Sequence, residues 1–269
     1  VDLLPLFSAG KMEKGGFDDM VAKELGVEKD RILAKDLFLV NRQRPAVWGY
    51  ENEFVSTPKL DDLQCAFSSL KAFIAGENKK AINVYACFDN EEVGSNTKQG
   101  AMSTLLKDVL KRINFALGKN YEDYYNAIAK SFLVSCDNAH AVHPNHRELT
   151  DDSNCSFINQ GIVIKESANQ KYTSDAFSQA VFKDICNKAE VPVQHFANRS
   201  NMAGGSTLGN LSNTQVSVHA VDIGLPQLAM HSSYETAGVM DTAYAVKALT
   251  EFFSTNIKIS GAEEIVLED

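Results

Sequence analysis

The stretch GIVIKESANQKYTSDAFSQAVFKDICNKAEVPVQHFA, residues 161–197, shows the pattern that decides the fold. Its apolar runs at 161–165 and 191–197 predict two strands, and the residues near 174–189 predict a helix between them. A strand, a helix and a second strand in this order are typical of a sheet with helices packed on its faces.

The same alternation extends in both directions from this stretch. Apolar runs predict further strands, and apolar residues at helical spacing predict further helices. The fold class predicted from this alternation is α/β, and ligands of such sheets bind beyond the carboxyl ends of the strands. The additional strands are predicted at 37–40, 82–88, 131–136 and 216–222, and the additional helices at 17–25, 60–74, 102–113 and 241–253.

Composition and charge exclude several classes of protein. The chain has 269 residues, of which 44% are hydrophobic, and its formal net charge is −9. An acidic chain of this kind is not expected to bind nucleic acid or an anionic membrane surface. No apolar run is long enough to span a bilayer, and the chain start lacks the features of a secretion signal. Five widely spaced cysteines indicate reduced thiols, so we expect a cytoplasmic protein.

Acidic residues and a histidine follow several of the predicted elements. The stretch FDNEEVGS, residues 88–95, places Glu91 and Glu92 directly after a predicted strand. Asp137 follows the strand predicted at 131–136, Asp61 opens the helix predicted at 60–74, and His231 follows an apolar run. Crowded carboxylates repel each other unless a cation offsets their charge, and Asp, Glu and His are ligands for Zn²⁺, Mn²⁺ or Co²⁺.

Each of these residues also has a simpler interpretation. A carboxylate at the end of a strand is most often a solvated turn residue or a helix cap, and Asp61 could be a charge favoured by the helix dipole. Asp62 is assigned to that dipole role, and His195 and His219 to packing within strands. Lys165 is either an exposed residue at a strand end or a cation facing an anionic ligand.

Taken together, six stretches of the chain closely resemble the M18 family of metalloaminopeptidases, the aspartyl aminopeptidases. The resemblance runs from about residue 17 to residue 254, and the motifs occur in the family's order with compatible spacing. The stretches are STPKLDDLQCAFSSL, FDNEEVGSNTKQGA, SCDNAHAVHPNH, GIVIKESANQKYTSD, NMAGGSTLGNLSNTQ and DIGLPQLAMHSSYETAG.

The resemblance implies a fold, a cofactor and a reaction. The fold would be an α/β/α sandwich of the zinc-exopeptidase (phosphorylase/hydrolase-like) type, with a site for two divalent metals, usually zinc. The reaction would be hydrolysis of the N-terminal peptide bond of a peptide, with a preference for N-terminal Asp or Glu. Family members assemble as dimers and dodecamers, which implies a homo-oligomer for the full-length protein.

The resemblance also implies a role for each candidate residue. Asp61 corresponds to the carboxylate that bridges both metals, Glu92 and His231 to further ligands of one metal, and Asp137 to a ligand of the other. Glu91 corresponds to the general base. The residues that correspond to substrate contacts are His140 and Lys165, of which Lys165 would face the acidic side chain of the substrate.

The chain departs from the family pattern at its start. The family has a metal-binding histidine in a histidine-x-aspartate motif near its N-terminus, whereas this chain has no histidine before His140. Residues 1–34 resemble the tail of an oligomerisation domain inserted in the family, and 35–269 the catalytic domain. We therefore expect one metal site with three protein ligands and a second, incomplete site. The alternatives are a catalytically silent fragment or scaffold and another amidohydrolase of the same fold.

Overall fold

The structure is a computed structural model that describes residues 4–261 and 264–268. Its residues divide into two compact units, one before Asn41 and one from Asn41 onward. The helices are α1 (Gly16–Leu25), α2 (Leu60–Ala75), α3 (Leu105–Ala116), α4 (Tyr121–Ala129), α5 (Ala176–Lys188), α6 (Leu208–Ser212) and α7 (Val239–Ser254). The strands are β1 (Ala46–Trp48), β2 (Phe54–Thr57), β3 (Phe132–Cys136), β4 (Ala139–His140), β5 (Ile162–Glu166), β6 (Val193–Ala197), β7 (His219–Gly224), β8 (Pro226–Leu228), β9 (Glu235–Gly238), β10 (Asn256–Ile259) and β11 (Ile265–Glu268).

The first unit is built around α1. Gly26 ends this helix in the left-handed conformation, with φ 66°, and its N–H donates to carbonyls of the last turn. A short 3₁₀ helix follows at Lys29–Arg31. The helix predicted at 17–25 is therefore confirmed, whereas the strand predicted at 37–40 is wrong, because these residues are exposed and pair with no strand among the described residues.

The second unit contains a four-stranded sheet in the order β3-β7-β5-β6. β3 runs parallel to β7 and β5 parallel to β6, whereas β5 and β7 are antiparallel. The register pairs Phe132 with His219 and Ile162 with Val193. The strand–helix–strand prediction over 161–197 is confirmed by β5, α5 and β6.

A second sheet has five strands in the order β1-β2-β9-β8-β4, and β10 pairs with β11 as an antiparallel hairpin. β2 pairs antiparallel with β9, and Thr57 lies opposite Glu235 at one end of the pair. This pairing brings the loop that leads into α2 close to the loop between β8 and β9.

Helices cover both faces of the four-stranded sheet. Ile162, Ile164, Val221 and Ile223 form a core with apolar residues of α2, α5 and α7 on one face. On the opposite face, α6 contacts β3 and β7. Buried Asp222 on that face accepts hydrogen bonds from the loops that carry Thr173 and Thr207. This three-layer arrangement is the predicted α/β/α sandwich.

The strand predicted at 82–88 is absent. These residues form no strand and pair with none in the described part of the chain, although their side chains alternate as in a strand. Asn83 donates to the Phe253 carbonyl and Tyr85 to the Ala66 carbonyl, so one side of the segment lies against α7 and α2. Ile82 and Val84 lie on the other side and are exposed. A strand needs a hydrogen-bonded neighbour, and an apolar run cannot show whether one is present.

Within residues 4–261 and 264–268, no helix combines the length and the apolar composition that crossing a membrane requires.

Candidate metal centre and active site

Asp61 is placed by the short connection between β2 and α2. Lys59 adopts a left-handed conformation, and Asp61 has non-helical backbone angles at the start of α2. The peptide bond from Asp61 to Asp62 is cis. The Asp61 N–H donates to the Glu235 Oε2 at 3.0 Å, and the Asp61 side chain is 6% exposed. The carboxylate therefore lies at the base of the site rather than on the surface of the helix.

His231 reaches the same point from the loop between β8 and β9. Its backbone is left-handed, with φ 66°, and its N–H donates to the Glu235 Oε1 at 2.9 Å. Its Nε2 lies 3.2 Å from the Asp61 Oδ2 and 3.2 Å from the Glu92 Oε2. Ligand atoms of Asp61, Glu92 and His231 all lie within 4.8 Å of one another.

The adjacent residues Glu91 and Glu92 occupy different environments. Turns hold their segment in place, because Gly94 N–H donates to the Glu91 carbonyl and Asp89 N–H to the Gln99 carbonyl. Glu92 points toward His231 and has a half-exposed side chain. Glu91 is partly buried, and burial together with the Asp137 and Glu92 carboxylates raises its pKa to about 7.

Asp137 follows β3 and faces a buried cation. The Lys165 Nζ is 3.4 Å from the Asp137 Oδ2 and donates to the Asn138 carbonyl at 3.0 Å. Lys165 is 2% exposed and lies over the Tyr172 ring. Burial lowers the pKa of Lys165, but Asp137 and Tyr172 outweigh this effect and hold it above its usual range. Lys165 is thus not an exposed residue at a strand end.

His140 ends β4, and its side chain remains accessible to solvent. Its ring lies near Phe196, with the ring centroids 6.4 Å apart. The packing around the ring, followed by the positive charges of Lys165 and His231, lowers the pKa of His140. A neutral imidazole can accept or donate a hydrogen bond, which suits a residue that contacts a substrate.

The carboxylates of the site repel each other strongly. Burial, then Asp137 and then Glu92 raise the pKa of Asp61 far above its usual range. The same causes raise the pKa of Asp62 to about 6. Carboxyl groups with raised pKa values hold protons that a bound cation would displace. The donor set of two carboxylates and one imidazole fits Zn²⁺ and also suits Mn²⁺ or Co²⁺.

Glu235 is a site residue that the sequence did not reveal. It is 2% exposed, and its two carboxylate oxygens accept the backbone N–H groups of Asp61 and His231. It therefore ties together the two loops that carry two of the three clustered donors. A single glutamate after a polar turn has no periodicity or spacing that would distinguish it from a surface residue.

Known proteins resemble this chain over most of its length. Residues 8–253 match the family described as "Aminopeptidase I zinc metalloprotease (M18)". The chain belongs to this family. Among curated proteins, it is 48% identical over 257 residues to "Probable M18 family aminopeptidase 2" of Clostridium novyi, covering 94% of this chain and 59% of the relative. A protein of the same description from Clostridium acetobutylicum is 44% identical with the same coverage.

Solved structures of the family have the same fold. The structure titled "Cryo-EM structure of the Ape4 and Nbr1 complex" aligns with a TM-score of 0.80 and 33% identity, covering 91% of this chain and 50% of that one. The "Crystal structure of yeast aminopeptidase 1 (Ape1)" aligns with a TM-score of 0.75 and 29% identity, covering 88% and 54%. A related M18 protein, yeast mApe1, has been solved as a dodecamer. The chain thus spans about 59% of the length of the curated relatives it matches.

Proposed function

We propose that this chain carries the metal-binding part of an aminopeptidase that hydrolyses the N-terminal peptide bond of peptides. The observation that carries the proposal is the convergence of Asp61, Glu92 and His231, with ligand atoms within 4.8 Å of one another. Membership of a zinc metalloprotease family supports the same reaction. The convergence of three donors favours this function over a catalytically silent scaffold.

These three residues are proposed to hold a divalent metal, and Asp137 to contribute to a second, less complete site with Asp61. When bound, the cation supplies Lewis-acid polarisation of the scissile carbonyl and lowers the pKa of the attacking water. Glu91 is proposed as the general base. Its pKa of about 7 suits a group that takes a proton from water and returns it to the leaving amine.

We further propose that His140 and Lys165 bind the substrate and that the preferred N-terminal residue is Asp or Glu. Lys165 is the buried cation nearest the proposed metal ligand Asp137. The carboxylate of an N-terminal Asp or Glu would have to reach the Lys165 ammonium beside the Lys165–Asp137 ion pair. A neutral side chain would gain no ion pair with that ammonium. The free state of all five cysteines supports a cytoplasmic location, and the dodecameric relative supports a homo-oligomer for the longer protein.

Hydrolysis of reporter peptides tests the proposal. Glu91→Gln removes the base while keeping the size of the side chain, so turnover of an N-terminal Asp reporter is expected to be abolished with metal content unchanged. Glu51→Gln, on an exposed loop, is the matched control and keeps full activity. Loss of metal in Glu91→Gln would mean that Glu91 is a ligand. Lys165→Ala is expected to lower kcat/KM for acidic reporters more than for neutral ones, and an equal decrease would contradict the proposed preference.

A further inference from the structure

Three buried side-chain amides form a hydrogen-bonded chain that ends at Glu235, and we call this chain the amide network. Its members are Gln64, Asn138 and Gln227, which are 7%, 3% and 1% exposed. The Asn138 Nδ2 donates to the Gln64 Oε1 and to the Gln227 Oε1, each at 2.9 Å. The Gln227 Nε2 donates in turn to the Glu235 Oε1 at 3.4 Å. Amide side chains are mostly exposed in proteins, and burying one is costly unless it is hydrogen-bonded.

The fold brings the amide network together from three separate parts of the chain. Gln64 lies in the first turns of α2, three residues after Asp61. Asn138 lies between β3 and β4, and Gln227 lies in β8. β4 runs parallel to β8 and places His140 opposite Gln227, so the loop that carries Asn138 lies beside β8. The amide network therefore joins elements that carry or adjoin the residues of the candidate site.

The Glu235 carboxylate fixes the direction of the hydrogen bonds in the amide network. Its two oxygens already accept two backbone N–H groups of the site, so Gln227 turns its NH₂ group toward them. The Gln227 oxygen then faces Asn138, which must donate to it. The second hydrogen of the Asn138 NH₂ group goes to Gln64, which donates onward to the Thr242 hydroxyl at 3.0 Å. Because Gln227 both donates and accepts, an apolar residue of the same length cannot replace it.

Asn138 also contacts the other side of the site through its backbone. Its N–H donates to the Asp137 Oδ1 at 2.7 Å, and its carbonyl accepts from the Lys165 Nζ at 3.0 Å. Its side chain reaches Glu235 through Gln227. A single residue thus connects the Asp137–Lys165 ion pair with the carboxylate that holds the loops of the clustered metal donors.

We propose that Asn138 and Gln227 are positioning residues for the proposed metal site. They hold the Glu235 carboxylate, and this carboxylate holds the backbones of Asp61 and His231. Groups that orient metal ligands from outside strongly affect metal affinity, and a hydrogen bond to a carboxylate is stronger than one between neutral groups. The inference rests on the proposed function, because it concerns the same metal.

Metal affinity of substituted chains tests the order of the amide network. Gln227→Met keeps the length of the side chain and removes both its donor and its acceptor. We expect it to weaken Zn²⁺ binding by at least about tenfold, measured by competition with a chromophoric chelator. Asn138→Leu is expected to weaken Zn²⁺ binding as well. Because Asn138 acts through Gln227, the double variant should match Gln227→Met alone within about twofold, whereas independent effects would multiply.

Gln194→Met is the matched control. Gln194 lies in β6, and its side-chain amide donates to the carbonyls of Phe157 and Gly161 and accepts the Phe157 N–H. None of these groups belongs to the candidate site. Gln194→Met is therefore expected to leave Zn²⁺ affinity unchanged, and urea unfolding of the metal-free variants shows how far each substitution changes stability alone.

Hydrogen exchange of the metal-free chain gives a second readout. The backbone N–H groups of Asp61, Asn138 and His231 all donate to carboxylates that the amide network holds or adjoins. Relative to the N–H groups of β5, exchange at these three positions is expected to become at least about fivefold faster in Gln227→Met. It is expected to stay unchanged in Gln194→Met. This comparison separates a local loss of positioning from a loss of overall stability.

Several results would overturn the proposal: unchanged Zn²⁺ affinity in Gln227→Met, an equal loss in Gln194→Met, or losses that multiply in the double variant. If Gln227→Met does not fold, Asn138→Leu decides the matter, since a loss of at least about threefold supports the proposal and an unchanged affinity contradicts it. A parent chain that binds no Zn²⁺ would instead refute the proposed function. Exchange at Asp61 and His231 then decides the positioning role: faster exchange in Gln227→Met but not in Gln194→Met supports it, and any other pattern contradicts it.

Discussion

The role of Glu235 gives a specific prediction about metal affinity. The two carboxylate oxygens of Glu235 accept the Asp61 N–H at 3.0 Å and the His231 N–H at 2.9 Å. Glu235→Gln keeps the shape of the side chain but replaces one acceptor with a donor. One of the two N–H groups then loses its partner and faces an NH₂ group, and the loop that carries it is no longer held.

The expected magnitude follows from the contacts. An unsatisfied buried donor destabilises the fold by about 1–3 kcal/mol. Substitution of a residue that orients metal ligands typically weakens metal binding by about 10–100-fold. We therefore expect Glu235→Gln to weaken Zn²⁺ or Mn²⁺ binding by about 10–100-fold, measured by competition with a chromophoric chelator. Urea unfolding of the metal-free variant separates the loss of affinity from the loss of stability.

Asp241→Asn is the matched control for this prediction. Asp241 is also fully buried, and its carboxylate accepts the backbone N–H groups of Asn159 and Gly161. None of these groups touches the metal donors, so Asp241→Asn is expected to leave metal affinity unchanged whatever its effect on stability. An equal loss of affinity in both variants, or none in Glu235→Gln, would refute the assigned role of Glu235.

Three further predictions concern the stability of the fold. Burial raises the folded-state pKa of Asp241 to about 6, so its stabilising contribution is complete below about pH 4 and is lost as pH rises through 6. Urea unfolding of Asp241→Asn and of the parent at pH 4.5 and 7 is expected to show a stability difference that shifts by about 2 kcal/mol between the two pH values, and no shift would contradict this. Asp222→Asn removes a carboxylate oxygen that accepts a hydrogen bond from one of the two loops carrying Thr173 and Thr207, and it is expected to lower the free energy of unfolding by about 1–3 kcal/mol. Hydrogen exchange at 203–207 is expected to become faster, and unchanged exchange would show that Asp222 does not hold these loops. Gly161 has φ 102°, and an added Cβ would overlap the Pro192 carbonyl, so Gly161→Ala is expected to destabilise the fold by several kcal/mol. Gly118→Ala, where φ is 73° and the space is open, is expected to cost about 1 kcal/mol, and similar unfolding midpoints for the two variants would contradict this.

Long periodic segments of the fold were predictable from the sequence. The helices predicted at 60–74 and 241–253 correspond to α2 and α7, and the strand predicted at 131–136 to β3. Their apolar residues recur at the spacing of one helix face or form the short run of a buried strand, and the core buries these residues directly. The run at 82–88 has the same local pattern but forms no strand, because pairing depends on a neighbour that local sequence does not describe.

The donor residues of the candidate site were predictable from the sequence, whereas the contacts that hold them in place were not. The residue types and positions of Asp61, Glu92 and His231 indicated metal ligands, and only the fold brings them within 4.8 Å of one another. The burial of Lys165 and the bridging position of Glu235 depend on contacts between distant parts of the chain. Such contacts leave no periodic pattern in the sequence, so these two environments could not be derived from it.

The most direct test of the central claim is the metal stoichiometry of the purified chain. The claim predicts one tightly bound divalent metal per chain, held by Asp61, Glu92 and His231. His231→Gln is expected to lose this metal, whereas His195→Gln, which alters a histidine paired with Glu166 outside the cluster, is expected to keep it. A chain that binds no metal, or a His231→Gln variant that binds it as tightly as the parent, would contradict the claim.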